Sequence, residues 1–291
     1  MIVVFNPAAG GRRAGRLWRV LDVLSAAGVR IQLSETRRRG HARELAARAA
    51  ESGVPMVVAA GGDGTIAEVA NGIAGSAAAL GVIPLGTANV LALEYRLPFG
   101  PRDVAAALSF RRTAPLLPGI ARFAAPGAPD RVFVQMLGAG YDAQVVHNLS
   151  LPLKRLIGRS AYVCQTLREL PRYGFPPIRL RLDGVAAEAA SVIVTKGRLY
   201  AGRYVVAPDA APGEAGFRVV LFEHAGILPT LMYGALLPLG LMSRAPGVRI
   251  VPARRIEILS EDIPLQADGD PAGFGPVTVE DAEMPISLVV R

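Results

Sequence analysis

Short apolar runs and helical patterns alternate along the first part of the chain. Residues 2–5, Ile-Val-Val-Phe, form a run of the buried-strand type that ends at Asn6-Pro7-Ala8-Ala9-Gly10-Gly11, a glycine-bearing turn. Leu17, Val20, Leu21 and Leu24 then recur at i, i+3, i+4 and i+7, one face of a helix that stops near Gly28. The same reading predicts a second strand over 29–33, a helix over 41–51 and a third strand over 56–60. That strand runs into Gly61-Gly-Asp-Gly64, and Thr65 opens the next helical pattern. A fourth strand, 80–84, ends at Leu85-Gly86-Thr87-Ala88-Asn89. Strands and helices joined by short links predict a parallel sheet wrapped by helices, with ligands at the carboxyl ends of the strands. Asn6, Thr36, residues 61–65 and Gly86-Thr87 all fall just past such ends.

Beyond a helical piece at 103–110 the chain becomes rich in proline and glycine, and the boundary of a first domain is expected near 117–119. From there the pattern turns to β, with strands expected over 120–123, 132–137, 178–182, 191–195, 217–221, 248–251 and 256–259. One helical insertion is expected over 142–170. The fold class is therefore α/β plus mainly β: an N-terminal parallel-sheet domain followed by an antiparallel β-rich domain.

Composition narrows the partners. The 291 residues, 51% hydrophobic and 19% charged, suffice for two globular domains. A net charge of +8 admits nucleic acid, anionic membrane or phosphate-bearing substrates. No nucleic-acid reader fold is visible and aromatics make up 6% of the chain, so nucleic acid is not the expected partner. Cys164 stands alone, which excludes an intramolecular disulfide and a cysteine metal cluster; His41, His147 and His224 are scattered and read as local polar residues. No signal-peptide pattern opens the chain, which predicts a cytoplasmic location. Residues 225–243 carry no charge but include Pro229, Gly234, Pro238 and Gly240, so they are expected to form a buried crossover helix rather than a membrane span.

The strongest chemical signal is Gly61-Gly-Asp-Gly-Thr65. Glycines let the backbone approach a ligand closely, and the N–H groups that open a helix favour an anion, so the stretch reads as a phosphate cradle containing an acid. The plain alternative is a strand-to-helix turn, which Gly-Asp-Gly suits for local reasons. A second acidic feature, Asp268-Gly-Asp270, is by itself equally a hairpin turn.

Several motifs follow one another in order. They are Asn6-Pro-Ala-Ala-Gly10; Thr36 with Gly40-His41-Ala42; Gly61-Gly-Asp-Gly-Thr65 with Glu68 and Asn71-Gly72; Pro84-Leu-Gly-Thr-Ala-Asn89; Gly138-Ala-Gly-Tyr-Asp-Ala143; Lys154, Gly158 and Ala161-Tyr162; and Gln266-Ala-Asp-Gly-Asp270. Together they resemble the diacylglycerol kinase catalytic-domain family, which includes bacterial lipid kinases and sphingosine kinases. The resemblance implies an ATP-dependent lipid kinase of phospholipid metabolism acting on a hydroxyl of a diacylglycerol-like or sphingoid-type lipid. It implies a nucleotide-binding domain over 1–118, with 283–291 returning to it, a lipid-substrate domain over 119–282, and an active site in the cleft between them. Asn6, Gly10, Thr36, Gly61, Gly62, Asp63, Gly64, Thr65, Glu68, Gly86 and Thr87 would contact the nucleotide. Asp63 would hold Mg²⁺ or orient a water, and Asp268 or Asp270 would take the acceptor proton.

The same resemblance implies peripheral contact with the inner membrane face, to which the apolar and basic residues 149–159 could contribute. It says nothing of oligomeric state. Three positions depart from the family pattern. Val90 stands where relatives carry an aspartate of a structural metal network, Glu214 replaces that network's second-domain aspartate and is the candidate metal ligand, and Asp270 replaces a glutamate. Val90 and Glu214, with a further departure at Ala9, which stands for a serine, motivate a non-catalytic lipid-binding or regulatory protein as an alternative. An NAD kinase shares the Gly-Gly-Asp-Gly-Thr turn, but its Gly-x-Leu-Gly-Phe-Leu and Thr-Pro-x-Gly-Ser-Thr-Ala-Tyr motifs are not found in this chain.

Overall fold

The structure, a computed structural model, describes residues 1–9, 14–125, 127–149 and 160–291. The chain forms two compact units. The first comprises Met1–Pro118, Pro212–Glu214 and Glu283–Arg291; the second comprises Gly119–Ala211 and Ala215–Ala282. The short 212–214 excursion is fastened to the first unit by backbone: the Leu117 N–H donates to the Pro212 carbonyl at 2.8 Å. A Cβ on Gly213 would stand 2.8 Å from the Pro115 carbonyl oxygen.

In the first unit the chain order is β1 (Ile2–Phe5), α1 (Ala14–Ala26), β2 (Gln32–Glu35), α2 (His41–Glu51), β3 (Met56–Gly61), α3 (Asp63–Ile73), β4 (Ala79–Pro84), α4 (Val90–Glu94), α5 (Pro101–Phe110) and β5 (Thr113–Leu116). The sheet runs β2-β1-β3-β4, all parallel, then takes in the C-terminal strand Ile286–Val289 parallel to β4 and β5 antiparallel to that strand. β3 is buried along its whole length, which is why it reads as an unbroken apolar run rather than an alternating one. Leu17, Val20, Leu21 and Leu24 of α1 pack with Val58, Ala60 and the α5 residues Val104 and Leu108 to form the core of this unit.

Two boundaries differ from the pattern. β2 covers Gln32–Glu35 instead of 29–33, because it is the edge strand and its register is set by pairing with β1, Ile2 to Gln32 and Phe5 to Glu35. Val29, Ile31 and Leu33 still pack partly buried against the core. α3 starts at Asp63 rather than Thr65, so the acid lies inside the first helical turn.

The second unit contains two six-stranded antiparallel sheets. One is ordered Val185–Ala189, Ile178–Leu182, Ile256–Ile258, Val277–Asp281, Gly119–Phe123, Arg131–Phe133. The other is ordered Val248–Ala253, Phe217–Phe222, Ser191–Thr195, Met136–Gly140, Pro264–Ala267, Asp270–Phe274. Their inward residues, among them Phe133, Leu180, Val194, Phe217, Leu265 and Val279, merge into one core, a two-layer arrangement that buries one face of each sheet. Among the described residues the expected helical insertion contains the helices α6 (Tyr141–His147) and α7 (Ser160–Glu169); 150–159 lie outside the described residues.

Residues 225–243 correct the expectation of a buried crossover. They form α8 (Ile227–Leu236) and an irregular continuation, and within α8 only Tyr233 is buried. Tyr233 packs on Phe222 with ring centroids 5.1 Å apart, and Met232, Leu236 and Leu237 lie partly buried beside it. A ten-residue helix held along one stripe leaves its other face outward: Leu228 is 79% exposed and Ile227 and Leu231 are exposed too, as are Leu239 and Leu241 in the continuation.

Phe133 has no exposed surface, tilts against Phe217 at 6.0 Å and fills the space left by the missing side chain of Gly119. Phe133→Ala is therefore expected to lower unfolding free energy by about 3–5 kcal/mol in urea denaturation.

Candidate active site

At the carboxyl edge of the first sheet two loops meet backbone to backbone. A Cβ on Gly86 would lie 2.4 Å from the Cα of Gly62, and a Cβ on Gly61 would lie 2.4 Å from Thr65 Oγ1. The Leu85 and Gly86 N–H groups both donate to the Gly61 carbonyl, at 2.8 and 3.1 Å, so the β3–β4 pairing continues past the strands and closes the loops on each other. Gly62 precedes α3 in an extended conformation, and the first N–H groups of that helix have no carbonyl of their own helix to meet.

The side chains around this junction have separate tasks. Asn6 donates through Nδ2 to Thr65 Oγ1 at 3.1 Å, which ties the end of β1 to α3; Thr65 is buried, so its hydroxyl braces the loop from inside. Asp63 Oδ1 accepts the Val90 N–H at 2.5 Å and caps α4. Burial pushes its carboxyl above the usual carboxylate range, opposed by backbone donors at Val90, Asn89 and Leu91. Glu68 accepts the N–H groups of Gly40 and Ala42 at 2.9 and 3.0 Å, so both its oxygens face the start of α2. Thr36 lies half-buried past β2, its N–H on the Phe5 carbonyl at 2.8 Å, and Thr87 is exposed. Gly64 occupies the first turn of α3. Gly10, Lys154 and Gly158 lie outside the described residues.

Asp268 and Asp270 sit at the hairpin between strands Pro264–Ala267 and Asp270–Phe274 in the second unit. Asp268 (φ 51°) and Gly269 (φ 81°) both take left-handed backbone, as a two-residue hairpin turn requires. The hairpin-turn reading is thus met by this geometry. Asp268 Oδ1 accepts the N–H groups of Gln135 and Met136 at 2.8 and 3.0 Å, and Oδ2 accepts that of Val134 at 2.8 Å. Burial pushes this carboxyl up to about 6, against the pull of those three donors and of Arg131. Asp270 lies 4.0 Å from Arg131.

Residues 1–116 match the family model described as the diacylglycerol kinase catalytic domain, and residues 135–290 match the YegS C-terminal NAD kinase beta sandwich-like domain. A Pseudomonas putida protein named "Probable lipid kinase YegS-like" is 30% identical over 78% of this chain and 77% of its own. The chain belongs to the diacylglycerol kinase catalytic-domain family. A Staphylococcus saprophyticus protein named diacylglycerol kinase is 28% identical over 93% of this chain and 88% of its own. In fold, a crystal structure of a diacylglycerol kinase from Bacillus anthracis str. Sterne superposes with a TM-score of 0.74 at 19% identity, over all of this chain and 96% of that one. This family member is a lipid kinase, a phosphotransferase.

Its two glycine loops come together from sequence segments that the pattern had already marked, but two further residues join them. Arg16 of α1 reaches the Pro84 carbonyl at 3.0 Å, bringing a guanidinium to the end of β4. Alternation gave no reason to separate it from the arginines of solvated helix faces; the short distance to the glycine turn in sequence is the one signal it carried. Asn89, at φ 50°, holds the Gly86 carbonyl at 2.8 Å through Nδ2, and its buried Oδ1 has no hydrogen-bond partner among the described residues. Glu214 is exposed, and among the described residues no three His, Cys, Asp or Glu side chains are grouped to hold an ion.

The Gly62–Gly86 contact predicts a sharp asymmetry between glycines. Gly86→Ala should lower stability by about 1–3 kcal/mol, since the new methyl would stand 2.4 Å from the Gly62 Cα and 2.7 Å from Asn89 Oδ1. Gly15→Ala, within α1 and with open space around it, should raise stability by up to about 1 kcal/mol. Thermal melts of the two variants check both signs.

Proposed function

We propose that this lipid kinase uses ATP to phosphorylate a hydroxyl of a diacylglycerol-like or sphingoid-type lipid. The observation that carries the reading is the pair of glycine loops locked at Gly62 and Gly86, which offers backbone and a helix N-terminus, rather than side chains, to the donor phosphates. Phosphoryl transfer asks a protein mainly for positioning and for neutralisation of spreading charge. Thr36, Thr87 and the 61–65 backbone supply the donor contacts in this reading, while Asn6 and Thr65 keep the loop in shape. A magnesium ion carried on nucleotide phosphates needs one or two protein carboxylates, which suits Asp63, and it would supply neutralisation of the charge that develops on the phosphate oxygens. A metal site built wholly from protein side chains is not part of the proposal, since Val90 offers no carboxylate and, among the described residues, no three His, Cys, Asp or Glu side chains are grouped to hold an ion.

In the transfer the lipid hydroxyl oxygen bonds to the γ-phosphorus, the bond from that phosphorus to the β-phosphate oxygen breaks, and ADP leaves with the electron pair. The hydroxyl proton goes to Asp268. Among the described residues Oδ2 of Asp268 accepts one backbone hydrogen bond, from Val134, and a carboxylate oxygen has room for two. A pKa near 6 also suits a base working close to neutral pH, whereas Asp270 faces Arg131. Contact with a bilayer belongs to the same reading. It is supported by the outward apolar face of α8 and the uncharged run around it, followed by Arg244. No helix among the described residues is long and apolar enough to cross a membrane.

Mass spectrometry of extracted lipids incubated with the protein and ATP should show phosphate gained by a diacylglycerol or sphingoid lipid. Asp63→Ala should abolish the gain, and Asp268→Ala should slow it by at least about 100-fold. If no lipid is phosphorylated, the non-catalytic reading replaces this one. A base must be deprotonated, so kcat/KM should rise with pH through about 6. Arg131 pulls the Asp268 pKa down, so Arg131→Ala should move that limb to higher pH. Leu228→Glu should reduce co-sedimentation with phosphatidylglycerol vesicles several-fold at an unchanged melting temperature; equal pelleting would remove α8 from the reading.

A further inference from the structure

The Gly138-Ala-Gly-Tyr-Asp-Ala143 stretch builds a partly buried polar chain behind the acid turn. Strand Met136–Gly140 passes into α6 through Gly140, whose φ of 94° bends the chain so that Asp142 lies back over Gly138. Gly138 has to be glycine for this: a Cβ there would stand 2.6 Å from Asp142 Oδ2 and 2.7 Å from Gln266 Nε2. Gln266 is the cross-strand partner of Gly138 and is 1% exposed. Its Nε2 donates to Asp142 Oδ2 at 2.9 Å, and its Oε1 accepts the Gly269 N–H at 2.8 Å. The Tyr200 hydroxyl donates to Asp142 Oδ1.

Each link has one polarity. A carboxylate only accepts and a backbone N–H only donates, so the amide between them can stand one way round. Tyr200 and Gln266 both favour the ionised form of Asp142, which opposes the effect of burial. We propose that Asp142 is a positioning residue for the 268–270 turn: it fixes the orientation of the Gln266 amide, and the amide holds the Gly269 N–H between the two acids. The inference rests on the reading of Asp268 as the proton acceptor. Asp268 is bound to residues 134–136 on one side of the turn, and the Gln266–Gly269 bond supplies the hold at its centre.

The polarity can be inverted. Asp142→Asn offers a donor where Gln266 already presents one, and any rotation that relieves the clash orphans either the Tyr200 proton or the Gly269 N–H. Adding Gln266→Glu restores every pairing, since the new carboxylate accepts from the new amide on one oxygen and from Gly269 on the other, with net charge unchanged. In the full-length protein Asp142→Asn and Gln266→Leu should each lower kcat for lipid phosphorylation by about 10- to 100-fold. KM for ATP should stay within about twofold and the Asp142→Asn/Gln266→Glu double variant should return to within about threefold of the parent kcat. Amide exchange at Gly269 should quicken in the two single variants and slow again in the double. A double variant no faster than Asp142→Asn, or a Gly269 amide unmoved by Asp142→Asn, overturns the proposal. Gly269 exchange that follows this cycle in a protein whose parent form phosphorylates no lipid sustains the hold of Asp142 on the turn and overturns the kinase reading instead.

Discussion

The close approach of Gly62 and Gly86 is the constraint on which the carboxyl edge of the first sheet depends. With a Cβ of either glycine pressed against the other's backbone, the loops after β3 and β4 can meet only as bare main chain. Once they meet, the Gly61 carbonyl takes two N–H groups from the second loop, and Asp63 reaches across to cap α4. α3 is in turn tied to α2 through Glu68 and to the end of β1 through the Asn6–Thr65 bond. The sheet edge is thus a set of helix starts and strand ends fixed to one another, and what it presents outward is largely backbone. Such a surface suits phosphate because N–H groups and helix dipoles are held in place before any ligand arrives.

The second unit solves a different problem. A hairpin turn that carries an acid must hold the carboxyl group in partly enclosed surroundings without leaving buried polar atoms unpaired, since each such atom costs on the order of 1–3 kcal/mol. Here the turn is bonded at both ends: Asp268 to the 134–136 backbone and Gly269 to Gln266. Burial and hydrogen bonding act on Asp268 in opposite directions, and the balance leaves it able to exchange a proton near neutral pH. Gly138 of the neighbouring Met136–Gly140 strand makes room for the Asp142 and Gln266 side chains behind the turn.

α8 illustrates how composition and placement can part. An uncharged, leucine-rich run is ordinarily core, yet this helix touches its unit through Tyr233 and a few flanking residues and turns Leu228 and Leu231 outward. A helix that is apolar all round buries only the stripe its neighbours can reach.

Much of this was legible in the chain. The period of the apolar residues gave β1, α1, β3 and β4 and the change from parallel to antiparallel architecture, because burial on one or both faces leaves a direct imprint on spacing. The glycine and acid motifs located the loops, because a positive φ or a missing Cβ restricts the residue type at a position. Edge strand β2 was misplaced for the complementary reason: pairing with β1, not its own apolar content, sets its register. What spacing could not reveal is the partner of each polar atom. That Glu68 caps α2, that Thr65 braces its loop from within, that Arg16 reaches β4 and that Asp142 meets Gln266 all depend on residues distant in sequence. A hydrogen bond forms over about 3 Å with a fixed polarity at each end. Motifs place such groups in the right neighbourhood, and only the packed chain brings a donor within that distance of its acceptor.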